Sequence, residues 1–226
     1  MGLVMYKNIK KIIMTGFCQT GQISPAVAIH SYGYNCHGFD RAAMRDAIDG
    51  DYDKMFYLVD KFDCLRDWPF NIFAPEIAAE FPEAMFLHTY RITPDKWFDA
   101  MMPYTNHESS EGFGFIFEYW FGKRHLCEDD RADAIAVYES HNNMIQDDDE
   151  IPSKRLRYYC IDLSNHWEPL ASAIGQKTWP DFPFPAPENR PAWVYYTQAK
   201  SVIGGWTTMQ EDPALPWWGN NSFGGD

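Results

Sequence analysis

Residues 11–22, KIIMTGFCQTGQ, have the shape of a phosphate-binding loop without its cation. An apolar run at 12–14 leads into Gly16, then four residues, then Gly21, and from Ser24 onward a segment, SPAVAIHSYG, that can be helical. Strand, glycine-bounded turn and helix start together present backbone N–H groups and a helix N-terminus to an anion. A magnesium-dependent nucleoside triphosphatase needs Lys and Ser/Thr directly after the second glycine, to reach the outer phosphates and to hold the metal. Here Gln22 and Ile23 stand in those places. The sequence therefore disfavours such an enzyme and leaves two readings: a loop that grips phosphate or sulfate by its amides, or an ordinary strand–turn–helix connection.

Other reactive side chains narrow the chemistry further. Cys18, Cys36, Cys64, Cys127 and Cys160 are five in number, widely spaced and without a C-x-x-C pair. That pattern argues against a disulfide framework or a zinc knuckle and for reduced thiols in a cytoplasmic protein. The acidic runs at 127–133, CEDDRAD, and 147–150, DDDE, lack the spacing and glycine of a calcium loop and read as solvated ends. No metal is expected. A formal net charge of −13 opposes attraction to nucleic acid or an anionic membrane, although a local loop can still hold a small anion against that field. No apolar run reaches the ~18–20 residues of a membrane span. The N-terminal MGLVMYKNIKK has too short an apolar part for a secretory signal, and Tyr6 stands where a myristoylation pattern needs Ser or Thr.

These residues need a frame. With 226 residues, 46% of them hydrophobic and 17% aromatic, the chain has material for one full-sized globular domain. Apolar patterning predicts strands at 9–15, 64–66, 84–90 and 156–161. Helices are predicted at 25–31, 41–47, 71–80, 94–101, 113–121, 132–145 and 167–174. Strands that alternate with helices imply crossover connections and a mainly parallel sheet covered on both faces. The fold class is α/β, doubly wound, with ligands at the C-terminal ends of the strands. The 16–21 loop falls at one such end, and the uncharged strand before it belongs in the sheet interior. From Trp179 the chain turns proline-rich, WPDFPFPAPENRPAWVYY, and ends in PALPWWGNNSFGGD. Residues 1–190 read as the domain, and 191–226 as a Pro/Gly/Trp-rich tail that wraps that domain, docks on a protein partner or mediates self-association.

Several segments, in order, resemble one family. GFCQTGQIS at 16–24 is similar to the first motif, roughly G-F-G-R-T-G-T-x-S, of the P-loop sulfotransferases. RDWPFNIFAPEIAAEFPEAMFLHTYRITPDKWFDAM at 66–101 resembles the family's D-W-P, its strand ending in Arg and the Trp-bearing helix after it. ESHNNMI at 139–145, RLRYYCIDLSNHWEPLASAIG at 155–175 and DFPFP at 181–185 resemble its H-N pair, its G-W-E-P-L helix and its P-F-P. The resemblance covers about residues 10–190.

The resemblance implies a P-loop NTPase-like three-layer fold and metal-free transfer of a sulfuryl group from 3′-phosphoadenosine-5′-phosphosulfate (PAPS) to a hydroxyl or amine, leaving 3′,5′-adenosine diphosphate (PAP). Gly16, Thr20, Gly21 and Ser24 match the family's 5′-phosphosulfate loop. Gln19 stands where the family has Arg, and Gln22 where it has Thr; an amide donates a hydrogen bond but brings no charge. Arg91 matches the arginine that binds the 3′-phosphate, while its usual serine partner falls at Ala100. His37 occupies the place of a family histidine near the acceptor and is the first candidate for general base, with a structural hydrogen-bonded role as the alternative. Asp67 of DWP is the other candidate base, or the cap of the following helix. Trp68, Trp97 and Trp167 read as core anchors, His141 and Asn142 as a fold-stabilising pair, and Cys18 as a hindrance in the loop. Two functions stay open: an active PAPS-dependent sulfotransferase with an altered loop, whose acceptor the sequence does not specify, or a catalytically inactive sulfotransferase-fold protein that binds or scaffolds.

Overall fold

A computed structural model of the chain describes residues 9–105 and 114–185. The expected tail at 191–226, the readings of the first eight residues and the first residue of the 113–121 helix lie outside them. Five strands build one all-parallel sheet: β1 (Ile12–Met14), β2 (Cys36–His37), β3 (Cys64–Leu65), β4 (Met85–Tyr90) and β5 (Leu156–Cys160). Their order across the sheet is β2-β3-β1-β4-β5. β1 thus lies in the middle, with Ile12, Ile13 and Met14 sealed from solvent, as an uncharged strand of a covered parallel sheet requires.

The alternation of side chains along β1 sorts the core into two layers. Ile12 and Met14 pack with Cys64, Met85 and Leu87 against helices α1 (Ile23–Ser31) and α8 (Trp167–Ala173). Ile13, Leu65 and Phe86 point to the opposite face. There they meet α2 (Arg41–Ile48), α3 (Asp53–Lys61), α4 (Ala74–Glu80), α5 (Pro94–Thr105), α6 (Gly114–Phe121) and α7 (Arg131–Asp147). The architecture is the expected three-layer α/β fold. No described helix is long and apolar enough to cross a membrane.

Two elements escape the sequence reading. α3 carries Met55, Leu58 and Val59 inward, a helical spacing, and its last carbonyls are closed by a side chain from β1's entry. The Lys11 ammonium donates to the carbonyls of Val59, Asp60 (3.1 Å) and Phe62 (2.7 Å). A cation at a helix C-terminus opposes the macrodipole and satisfies orphan acceptors. β2 has two residues, too few for any period to register. The predicted 71–80 helix begins later, at Ala74. The N–H of Asn71 donates to the Asp67 carbonyl (3.2 Å), and those of Ile72 and Phe73 to the Pro69 carbonyl (3.0 and 3.1 Å), so 67–73 is a compact turn. α5 continues past its predicted end at 101 to Thr105, with Pro103 inside it.

Candidate anion-binding site

The 16–21 loop leaves β1 at the C-terminal edge of the sheet, and its two glycines do different work. A Cβ on Gly16 would lie 1.9 Å from Thr89 Oγ1 and 2.4 Å from the Thr89 carbonyl. Glycine is needed there for space, because the loop lies directly on the end of β4. Gly21 has φ +72, and a Cβ on it would come within 2.5 Å of Ile161 Cδ1, just past β5. Gln19 has φ 61 as well, so two left-handed residues bracket Thr20. The Thr20 N–H turns back to the Phe17 carbonyl (3.3 Å). Those of Gln19 and Gly21 donate to nothing among the described residues. Two unpaired amides in left-handed residues are donors of the kind that a backbone nest presents to an anion, and residues 19–21 form the candidate nest of this loop. Gly21 is exposed and Gln19 half-buried, so the nest opens to solvent.

Side chains of the loop mostly hold the loop together. Thr20 Oγ1 donates to the Phe17 carbonyl (2.6 Å) and lies 2.8 Å from Thr89 Oγ1. Gln22 is buried; its Nε2 donates to the Gly16 carbonyl (2.5 Å) and its Oε1 accepts from the Asp67 N–H (3.1 Å). Asn71 Nδ2 supplies a second donor to the Gly16 carbonyl (2.9 Å). Gln22 therefore pins the loop to the turn after β3, and its amide does not face a ligand. Ser24 sits half-buried in the first turn of α1. Cys18 points inward, its Sγ 3.6 Å from Met101 Sδ and its carbonyl taking the Trp97 indole N–H (2.8 Å). Burial, reinforced by the Asp67 charge, pushes its thiol up. It neither lines the nest nor offers a thiolate.

A neutral polar layer lies beneath the loop. His141 Nε2–H donates to the Thr15 carbonyl (2.7 Å), Thr15 Oγ1 pairs with His88 Nδ1 (3.2 Å), and His88 Nε2 reaches Asn142 Oδ1 (3.2 Å). Burial lowers His88 to about 3 and His141 to about 4. The His141–Asn142 segment is thus a support for the loop, joined by a third member, His88, that sequence reasoning left out.

The two candidate bases part company. Strand register sets His37 level with Leu65, and Leu65 level with Ile13, three residues short of Gly16. With β3 between them, His37 lies about 10 Å to the side of β1. It is buried between Phe62 (stacked, 4.7 Å) and Phe70 (5.8 Å), with neither ring nitrogen in a hydrogen bond. Burial lowers its pKa, Arg66 and Lys54 push the same way, and Asp40 at 3.8 Å only partly opposes them. Asp40 itself caps α2, accepting from Ala43 N–H (2.8 Å). Asp67, by contrast, lies two residues past β3 in the turn that follows it, has φ 60, and is partly exposed at 27%. It pairs with Arg66, and its backbone is tied to the loop through Gln22. Arg91 stands on the other flank of the loop, one residue past β4. Its Nη2 lies 3.1 Å from Asp162 Oδ1, its backbone N–H donates to Tyr138 OH (3.2 Å), and its Nε is buried without a partner. Asp162, Thr89, Ile161 and Asn71 carried no sequence signal of their own.

A family model described as "Sulfotransferase domain" matches residues 11–193. The chain belongs to the sulfotransferase domain family. No curated protein matches it. The matched span takes in the whole described fold of this sulfotransferase-family chain, from β1 through the loop and the Arg91 flank to α8. Among the described residues no group of three or more His, Cys, Asp or Glu is placed to hold a metal ion.

Proposed function

We propose that the protein transfers a sulfuryl group from PAPS to a hydroxyl or amine. The observation that carries this reading is the nest itself: Gln19 and Gly21 offer unpaired amides on a loop pressed so closely on β4 that only glycine fits at position 16. Those residues fit an anionic donor. The amides would hold the sulfuryl and 5′-phosphate oxygens, the start of α1 would add its positive end, and Arg91 would take the 3′-phosphate with its partnerless Nε. PAPS supplies a sulfuryl group whose S–O bond to the 5′-phosphate breaks as a new bond forms from sulfur to the acceptor, S–O for a hydroxyl and S–N for an amine. The protein's part is to position the attacking and leaving atoms, to stabilise the charge that appears on the leaving phosphate, and to take up the acceptor proton. Asp67 is assigned that last role, since it stands beside the loop with solvent access. His37, neutral and enclosed, is assigned a packing role between Phe62 and Phe70 instead.

Calorimetry with PAP tests the donor half without knowledge of the acceptor. Binding is expected, and Arg91→Ala is expected to weaken it about ten- to a hundredfold, the loss of one charged hydrogen-bonding partner. The base assignment predicts that Asp67→Asn leaves PAP affinity unchanged and abolishes PAPS turnover. An inactive binding or scaffolding role is the second reading. It draws on Gln22 and Thr20, whose polar atoms hold the loop together, and on a loop without a cation. Absence of PAP binding at low salt would decide for that role, with the tail at 191–226 as the segment proposed to reach a protein partner.

A further inference from the structure

We infer that Asp162 competes with the nucleotide for Arg91, so that the carboxylate sets how strongly this site selects a 3′-phosphate; the inference rests on the PAPS reading above. Ile161 touches Gly21, and Thr89 touches Gly16. Asp162 and Arg91 follow these two residues closely and so flank the nest on the outgoing ends of β5 and β4. The ion pair is one-pronged: Asp162 Oδ1 meets Arg91 Nη2 at 3.1 Å, while the neighbouring donor of the same guanidinium edge, Nε, is buried and unpaired. A phosphate binds such an edge with two oxygens at once, and to do so it must share or take Nη2 from Asp162.

The carboxylate does not move aside freely. Its other oxygen, Oδ2, accepts the Ile92 backbone N–H at 2.7 Å, and its side chain is 10% exposed against 22% for Arg91. The backbone of Arg91 is likewise fixed by Tyr138. A phosphate dianion therefore enters beside an anchored negative charge, and Arg91 gives it less attraction than an unpaired arginine would. A carboxylate that merely oriented the guanidinium would instead raise affinity, and the two cases have opposite signs on removal of the charge.

The test compares PAP with adenosine 5′-monophosphate, which lacks the 3′-phosphate, by calorimetry at low salt. Asp162→Asn keeps an oxygen for the Ile92 N–H and removes the charge. Asp162→Ser serves as a second variant if thermal melting shows that the first does not fold. PAP should bind about tenfold more tightly or better to the variant, the monophosphate should change little, and adding Arg91→Ala should remove the gain. If wild-type protein binds PAP and Asp162→Asn binds it equally or less well, Asp162 does not compete, while the donor assignment stands. If neither protein binds PAP, both the competition and the PAPS reading fall together.

Discussion

Acidification should unfold this protein earlier than its carboxylates would dictate, because three histidines are enclosed in neutral form. Burial lowers His88 from the ordinary 6.5 to about 3 and His141 from 6.5 to about 4, and it lowers His37 as well. In the unfolded chain each returns to about 6.5. A histidine with its folded pKa below its unfolded one favours the fold while neutral. That contribution is complete above pH 6.5, is lost as pH falls through 6.5 toward about 4, and levels off once the fold itself takes up the proton. At pH 5.5 one such group costs about 1.4 kcal/mol relative to pH 8, so three cost about 4 kcal/mol. Against a total stability of about 5–15 kcal/mol that is a large share. Asp130, which Lys123 holds down from 3.8 to about 2, loses its contribution only below 3.8 and does not enter this window.

Urea melts at pH 7.5, 6.5 and 5.5 would measure the effect as a falling midpoint. His141→Gln keeps a donor for the Thr15 carbonyl and removes one titrating group, so the slope of stability against pH should drop by about a third. A midpoint that stays constant from pH 7.5 to 5.5, or a slope that His141→Gln leaves untouched, would refute the argument. Either result would mean that the layer beneath the loop is hydrated or charged.

Three further perturbations address the loop. Gly16→Ala forces a methyl group to 2.4 Å from the Thr89 carbonyl and should cost about 1–3 kcal/mol of stability by overpacking; an unchanged melting temperature would mean that the loop does not lie on β4. Gln22→Leu leaves the Asp67 N–H without its acceptor and the Gly16 carbonyl with Asn71 alone. It should destabilise by about 1–3 kcal/mol and weaken PAP, both read from melts and titrations; normal stability would count against the bridge. Gln19→Arg should strengthen sulfate or PAP binding by about 1 kcal/mol at low salt, with the gain shrinking as salt rises. No gain would mean that the nest is not available to an anion.

What the sequence revealed, and what it hid, follows from the range over which each feature is encoded. The strand–glycine–helix unit at 12–31 is local: an apolar run, two glycines at fixed spacing and a helix start are all read within one window, and the structure has them in those places. The partners that give the unit its shape come from far along the chain. Thr89 lies under Gly16, Ile161 against Gly21, and Asn71 on the Gly16 carbonyl. None of these contacts is implied by its neighbours in sequence. His37 depends on strand order, which puts β3 between it and the loop, and a two-residue strand announces no order at all. The apolar face of α3, Met55, Leu58 and Val59, was present in the sequence, but it spans little more than one turn and directly follows the acidic stretch GDYDK at 50–54.

Gln19 and Gln22, two substitutions that look alike when the motif is read by position, differ in what already takes their hydrogen bonds. A side chain serves a ligand only when nothing nearer takes its hydrogen bonds. The Gln22 amide is fully engaged by Gly16 and Asp67 in the interior, so a cation placed there would have to be buried and would break the loop's own bracing. The Gln19 side chain has no partner among the described residues, and its backbone stands at φ 61 on the rim of the nest. Charge lost from this loop can therefore be returned at Gln19 alone of the two, where on the proposed reading it would meet an anion held by the neighbouring amides.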